Sequence, residues 1–364
     1  MVQSQKLRLF RQVLRCFAGV VPALVVLELV VRQVWVHQRV WEPGYVKIPT
    51  PQTSSVWCLE GCGVTHRLAH GERAGYLKDA PKVIVLGDSF TEALEVNDDE
   101  TYMHLAQEAL RKQGLELGLV GLGLAGRSVA DYVGFAERHK RLFKPVWTVV
   151  TIRDDDLAED TVRPGKTSFR RAVDGKLAVS FDEERSVPEL RDALWNAPSI
   201  FVRYTAYRFH KFAGAAQAEP PLFFAASPQG LRVPPPPPGV TRGREPQTAD
   251  YAVYPVEEEL DMLRAAYDDR LTVVSLPYID FKAGGEPTIS DSPIRQRFLA
   301  YCRKTGMSCV EPSESFLAMG RQNRSPFGFT NTRFNYGHMN PAGHALVGEE
   351  LARELARLKA HAVF

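Results

Sequence analysis

The sequence predicts an α/β fold built on a central parallel sheet with covering helices, preceded by one membrane-spanning helix. Three observations lead there. Beyond residue 80, apolar runs alternate with amphipathic segments, the pattern of parallel strands joined by covering helices. A serine stands where the first of those apolar runs ends. At the amino terminus a basic leader adjoins a long apolar run.

The leader holds Lys6, Arg8, Arg11 and Arg15, and the apolar stretch runs from Cys16 to Val31 with Glu28 as its one charge. That is about one bilayer crossing, and the basic flank sets the amino terminus on the cytoplasmic side. The bulky Val34, Trp35 and Val36 stand where a signal peptidase would need small residues, so an uncleaved anchor is expected rather than a signal peptide. Residues 1–40 are read as leader and anchor, 41–80 as an irregular connector, and 81–364 as the α/β domain.

Within that domain the strands are expected at Lys82–Leu86, Leu117–Val120, Trp147–Ile152, Leu271–Leu276 and Ser308–Val310. The helices are expected at Glu100–Lys112, Ser128–Lys140, Val256–Tyr267, Pro293–Lys304 and Pro341–Leu358. From about residue 160 to 254 the periodicity is lost, and the run Pro234–Pro238 must be extended and solvated, which marks an insertion.

Composition narrows the function. The 364 residues carry 45 Lys plus Arg against 43 Asp plus Glu, a net charge of +2, which argues against a nucleic-acid partner. Five cysteines are too few for a disulfide scaffold. They nonetheless fall in local pairs, Cys58 with Cys62 and Cys302 with Cys309, which an oxidising compartment would join. The alternative at the first pair is zinc held with His66 and His70, against which stands a spacer longer than the usual two residues. No cofactor is expected.

Ser89 closes the run Val83, Ile84, Val85, Leu86, Gly87, Asp88. The carboxyl edge of an open parallel sheet faces a crevice, and the next helix points its amide-rich end toward it. Asp88 and Ser89 as mere helix caps is the bland alternative. Near the other end, Gly337, His338, Met339, Asn340, Pro341, Ala342, Gly343 and His344 lead into a helix. His338 on that loop is free to take a proton from Ser89, whereas His344, one turn inside, is expected to pack.

These residues resemble the SGNH or GDSL hydrolase superfamily. Gly87, Asp88, Ser89 and Phe90 match its first block. Gly121 to Gly126 is similar to the second, and His338 with Asn340 and Gly343 matches the last. The likeness covers roughly residues 78–160 and 271–358, and membrane-anchored members resemble it further at Glu28, Arg32 and Val96–His104. It implies a three-layer, flavodoxin-like fold with Ser89 as nucleophile and His338 as base. The Ser89 and Gly126 amides would form the oxyanion hole.

Two positions depart from that pattern. Asp155, in the run Asp154, Asp155, Asp156, stands where the superfamily has an oxyanion-donating Asn, and a carboxylate there would repel the oxyanion. Three clustered Asp could instead hold a hard cation such as calcium, although a solvated acidic loop is the plainer reading. Asn335 replaces the usual triad Asp. Its amide oxygen could orient the imidazole but not stabilise its charge, so Asn335→Asp is expected to preserve or raise activity. The resemblance leaves room for a Ser-His dyad alone, or for another carboxylate reaching in from the insertion.

The resemblance implies an anchored extracytoplasmic serine esterase acting on an acyl group, acetyl among them, of a small ester or an envelope polysaccharide or lipid, by hydrolysis or transfer. Two rivals remain: a catalytically silent module that binds glycan or protein, and a dinucleotide binder using Gly121, Gly123 and Gly126. The second lacks a ribose-binding carboxylate at the right distance.

Overall fold

A computed structural model describes residues 18–27, 29, 39–41, 47–49, 51–58, 60–157, 167–172, 174–181, 254–281, 285–361 and 363–364. Its helices and strands are numbered in chain order. Helix α1 covers 18–27, and four short strands come next: β1 (Arg39–Trp41), β2 (Lys47–Pro49), β3 (Ser54–Trp57) and β4 (Gly63–His66). Then come β5 (Lys82–Gly87), α2 (Ser89–Glu92), α3 (Tyr102–Lys112), β6 (Gly118–Gly123), α4 (Val129–Gly134), α5 (Ala136–Phe143) and β7 (Trp147–Ile152). The rest are β8 (Thr167–Arg171), β9 (Leu177–Phe181), α6 (Val256–Ala266), β10 (Leu271–Ser275), β11 (Ile279–Asp280), β12 (Thr288–Ile289), α7 (Pro293–Thr305), β13 (Ser308–Val310), α8 (Ser313–Gly320) and α9 (Pro341–Ala360).

Five strands form one sheet in the order β13-β10-β7-β5-β6, every pair parallel. This is the flavodoxin-like order, in which the chain starts in the interior and builds outward both ways. Alternation along each strand sorts side chains onto two faces. Val83, Val85, Val149 and Val274 face α3, α8 and α9, where Tyr102, Leu110, Phe316, Val347 and Leu355 are buried. Ile84, Leu86, Val150 and Val273 face α4, α5, α6 and α7, with Tyr132, Leu260 and Phe298 beneath them. Burying a side chain of this kind stabilises by about 1.5–3 kcal/mol, so both layers hold the sheet firmly.

Each expected strand and helix of the domain is present, with two changes of extent. β6 runs on through Gly121 and Gly123, because small residues let other elements press against it: a Cβ at Gly123 would lie 2.0 Å from the Glu92 amide nitrogen of α2. The expected helix Ser128–Lys140 is two helices, α4 and α5, broken at the poor helix former Gly134 so that Phe135 turns into the core.

The connector is where expectation and structure part most. Residues 41–80 are not merely irregular: β1 pairs with β2, and β3 with β4 in an antiparallel hairpin. Beyond the hairpin, Arg73 holds the chain against the domain. Its guanidinium donates to the carbonyls of Glu92 (2.6 Å), Ala93 (2.6 Å) and Val96 (2.7 Å), and to Asp98 Oδ1 (2.6 Å).

Both expected cysteine pairs are disulfides, Cys58–Cys62 and Cys302–Cys309. Of the insertion, the described part includes the antiparallel hairpin β8–β9; most of the rest, Pro234–Pro238 included, lies outside the described residues. In the expected anchor, α1 leaves Val20, Val21, Leu24, Val25, Val26 and Leu27 exposed. Cys16, Glu28, Val30 and Val31 lie outside the described residues. Among the described residues no helix is long and apolar enough to cross a membrane.

Candidate active site

The site forms where three segments meet at the carboxyl edge of the sheet. The first is the exit of β5. A Cβ at Gly87 would lie 1.9 Å from Thr91 Oγ1, so only glycine lets the chain turn this tightly into α2. Asp88 caps that one-turn helix by accepting from the Phe90 amide (2.9 Å), which confirms the cap role for Asp88 and leaves Ser89 as the first helical residue. Beneath the turn, the Tyr102 hydroxyl bonds both Thr91 Oγ1 (2.9 Å) and Thr151 Oγ1 (2.7 Å), tying α2 to α3 and β7. Ser89 Oγ donates to Asp88 Oδ2 at 3.5 Å, a long bond that the hydroxyl can leave by rotating.

The second segment carries His338. Asn340 caps α9 through the amides of Ala342 (3.1 Å) and Gly343 (3.0 Å), while its own amide donates to the carbonyls of Ser325 (2.8 Å) and Gly328 (3.0 Å). The loop is thereby fixed, and the imidazole of His338 lies 5.0 Å from the ring of Phe90, the residue beside Ser89. His344 is buried, with Nδ1 accepting from the Tyr102 amide (3.3 Å), the packing role expected of it.

Asn335 does not orient His338. It sits in the left-handed region (φ 53°), where its oxygen accepts from Ser325 Oγ (2.7 Å) and its amide donates to the Ile279 carbonyl (2.6 Å). Both polar ends are committed to loop structure, and asparagine tolerates that backbone better than most residues.

The acid comes from the third segment, the tip of the β3–β4 hairpin, 278 residues away in sequence. Glu60 Oε1 accepts the backbone N–H of His338 (2.6 Å) and Oε2 lies 2.7 Å from His338 Nδ1. Sequence reasoning allowed for a carboxylate from the insertion and missed this one. The available signal was the pair Cys58 and Cys62, which close a small ring around Glu60. Asn331 docks that ring on the histidine-bearing side: it accepts from the Gly61 amide (2.9 Å) and donates to the carbonyls of Cys58 (3.2 Å) and Gly61 (2.9 Å). Gly337 lets the two surfaces meet, since a Cβ there would lie 2.0 Å from Glu60 Oε1 and its φ is +85°.

A second carboxylate, Glu95, places Oε1 3.2 Å from the same nitrogen. Burial pushes its pKa up to about 7, against the lowering influence of His338. For His338 burial alone would lower the pKa, but the Glu60 hydrogen bond and the charges of Glu95, Glu60 and Asp88 outweigh it and raise it.

Glu60, Glu95 and His338 also bring their ligand atoms within 4.8 Å of one another, the described group that could hold a metal ion. Zinc on the cysteines is ruled out by the Cys58–Cys62 bond, and His66 Nδ1 pairs with Asp98 (2.6 Å) instead.

Of the residues expected as oxyanion donors, Ser89 opens α2 with its amide at the helix start, and Gly126 lies on the exposed loop after β6 with φ +79°. The neighbouring Ala125 amide is held by Glu92 Oε2 (2.8 Å). Asp155 lies in a 3-10 turn, Asp154–Leu157, after β7; its side chain is outside the described residues. Asp156 accepts from the Arg153 amide (2.8 Å), so one of the three Asp closes the turn. Gly121 and Gly123 are buried within β6, not in a phosphate-binding loop, which removes the basis of the dinucleotide reading.

No family model and no curated protein matches the chain. Solved structures that it is similar to include a member of the lipolytic protein G-D-S-L family from Veillonella parvula (10% identity, TM-score 0.37, covering 77% of this chain and 100% of that one). Others are a lipase/acylhydrolase from Enterococcus faecalis (12%, 0.39, 76% and 95%) and a catalytic mutant of an acetylxylan esterase from Geobacillus stearothermophilus (14%, 0.38, 77% and 96%). At such identities the chemistry has to be argued from the residues themselves.

Proposed function

We propose that this chain is a serine ester hydrolase of the SGNH/GDSL superfamily, working through Ser89, His338 and Glu60. The observation that carries the reading is the double grip of Glu60 on His338, at the backbone N–H and at Nδ1, beside the turn that presents Ser89. A carboxylate on Nδ1 fixes the tautomer that leaves Nε2 free as a base, and steadies the imidazolium that then forms.

That arrangement sets the order of the steps. Ser89 rotates off Asp88, its proton passes to Nε2, and Oγ bonds the ester carbonyl carbon. Negative charge on the carbonyl oxygen is met by the Ser89 and Gly126 amides. His338 returns the proton to the leaving alcohol oxygen as the C–O bond breaks, and water then releases the acyl group by the same route reversed. A sugar hydroxyl in place of that water would make the reaction a transfer.

We place the domain outside the cytoplasm on a single helical anchor, with an acyl group of an envelope saccharide or lipid, acetyl among the candidates, as substrate. Two disulfides support the oxidising compartment, and the exposed apolar side chains of α1 support the anchor. The acetylxylan activity named for one structural neighbour belongs to that protein and serves here only to suggest a probe.

A fluorophosphonate that reports activated serines tests the chemistry directly. Labelling of the wild-type chain that disappears in folded Ser89→Ala and His338→Ala is expected, and absence of labelling in folded wild type would favour the silent binding module. Acetyl release from envelope polysaccharide compared with short-chain lipid esters tests the substrate, and exclusive lipid activity would remove the saccharide version.

A further inference from the structure

The imidazole of His338 has one Nδ1 and two carboxylates directed at it, and only one of them can take its proton at a time. Glu60 approaches from the disulfide ring at 2.7 Å and is 17% exposed; Glu95 approaches at 3.2 Å from the turn after the nucleophile helix and is 4% exposed. That turn is rigid. Ala93 adopts a left-handed conformation (φ 50°), and Arg73 donates to the Glu92, Ala93 and Val96 carbonyls on either side of Glu95. Glu95 Oε2 is buried without a hydrogen-bond partner among the described residues. A fully charged carboxylate in that position would be costly, and a buried acid kept only for packing would be a poor substitute for an apolar side chain.

We propose that Glu95 is a second positioning carboxylate for His338, standing in reserve behind Glu60. The inference rests on the reading of Ser89 and His338 as nucleophile and base. With Glu60 in place, Glu60 accepts the Nδ1 proton and Glu95 is held close to its neutral form. When Glu60 is withdrawn, Glu95 ionises and accepts that proton itself, so the imidazole keeps its tautomer. The charged groups that face Glu95 are His338 and Glu60 across the site, Glu92 from α2, and Arg73 packed beneath the turn. Burial dominates among these influences and sets its ionisation about pH 7.

The test uses the full chain, with the rate of fluorophosphonate labelling as one readout and the ¹⁵N shifts of the His338 imidazole as the other. Glu60→Ala is expected to lose about 10–100-fold in labelling rate, with Glu95 supplying the orientation that remains. The double variant Glu60→Ala/Glu95→Gln is expected to fall to about 10⁴-fold below wild type, the scale of losing the orienting carboxylate altogether. A double variant no slower than Glu60→Ala overturns the proposal. Should Glu60→Ala fail to fold, the titration decides. In wild type the imidazole shifts should show two coupled steps. In Glu95→Gln they should show one, and superimposable curves would overturn the proposal. Because the titration needs no turnover, wild type that titrates in two steps but never labels would sink the esterase reading while leaving the coupling intact.

Discussion

His338 and His344 stand six positions apart at the start of one helix, and their surroundings give them opposite chemistry. His338 is 27% exposed at the side chain, lies against two carboxylates, and has its pKa raised. His344 is 1% exposed, stacks on Tyr102, accepts that residue's amide proton at Nδ1, and has its pKa pushed down to about 3 by burial and by the charges of Arg73 and His338. The same side chain faces two carboxylates in one place and is a buried hydrogen-bond acceptor, neutral near pH 7, in the other. What separates them is the acid placed opposite the first, not anything in the helix they introduce.

The most drastic way to break this contrast is alanine at each position. His338→Ala should reduce fluorophosphonate labelling at least ~10³-fold with little change in melting temperature. His344→Ala should leave labelling within a few-fold in the protein that remains folded. It should cost about 2–4 kcal/mol in denaturant unfolding, because it opens a cavity and orphans the buried Tyr102 amide. Equal loss of labelling in folded samples of both would show that the two histidines are not divided as described.

Next in size is Gly337→Ala. Its Cβ would collide with Glu60 Oε1, so the acid is expelled without being mutated, and labelling should fall to the level of Glu60→Ala. A crystal structure with Glu60 still on Nδ1 would contradict that. Opening the ring by replacing both Cys58 and Cys62 with Ser leaves the carboxylate intact but loosens its mounting. A loss of about 10-fold in labelling rate is expected, whereas opening the distant Cys302–Cys309 bond should leave the rate unchanged.

Acidity sharpens the same contrast. Since the folded pKa of His344 lies below its unfolded value near 6.5, folding excludes a proton there. Its contribution to stability is intact above about pH 6.5 and is lost as pH falls toward 3, at up to about 1.4 kcal/mol per pH unit. Unfolding free energies measured from pH 7 to 4 should show this slope, and His344→Gln should flatten it. The two histidines are shifted in opposite directions, and since His338 must be neutral to accept a proton, the labelling rate should climb with pH through an inflection above 6.5.

The smallest effect concerns Asn335. With its amide donating to the Ile279 carbonyl, Asn335→Asp would set a carboxylate against that oxygen, so a stability loss of about 1–3 kcal/mol is expected with labelling nearly unchanged. An increase in labelling would revive the role that its position before His338 suggested.

The fold and half of the site were legible because they rest on local pattern. Apolar runs set between amphipathic segments pointed to β5, β7 and β10; the tight exit at Gly87 pointed to Ser89; and the cap at Asn340 set His338 on a loop rather than in the helix. Glu60 was not legible, since a hairpin tip among prolines and glycines reads as connector, and nothing local says which of many surface carboxylates will reach a histidine 278 positions on. Asn335 misled for the complementary reason: its spacing before His338 suited a triad member, but its left-handed backbone turned both polar ends into the loop. Glu95 lies close behind Ser89 in sequence, yet burial, which gives it its character, is a property of the assembled layers.

The Cys58–Cys62 hairpin carries one more consequence, for where the protein should be cut. Topology draws the boundary of the sheet domain at Lys82, and a fragment begun there would keep the parallel strands, the covering helices, the serine and the histidine. It would also discard Glu60 together with the Arg73 clamp on the Glu92–Val96 turn. The span of chain that makes the architecture is therefore shorter than the span that assembles the candidate site, and an excised sheet domain is a poor stand-in for the whole chain.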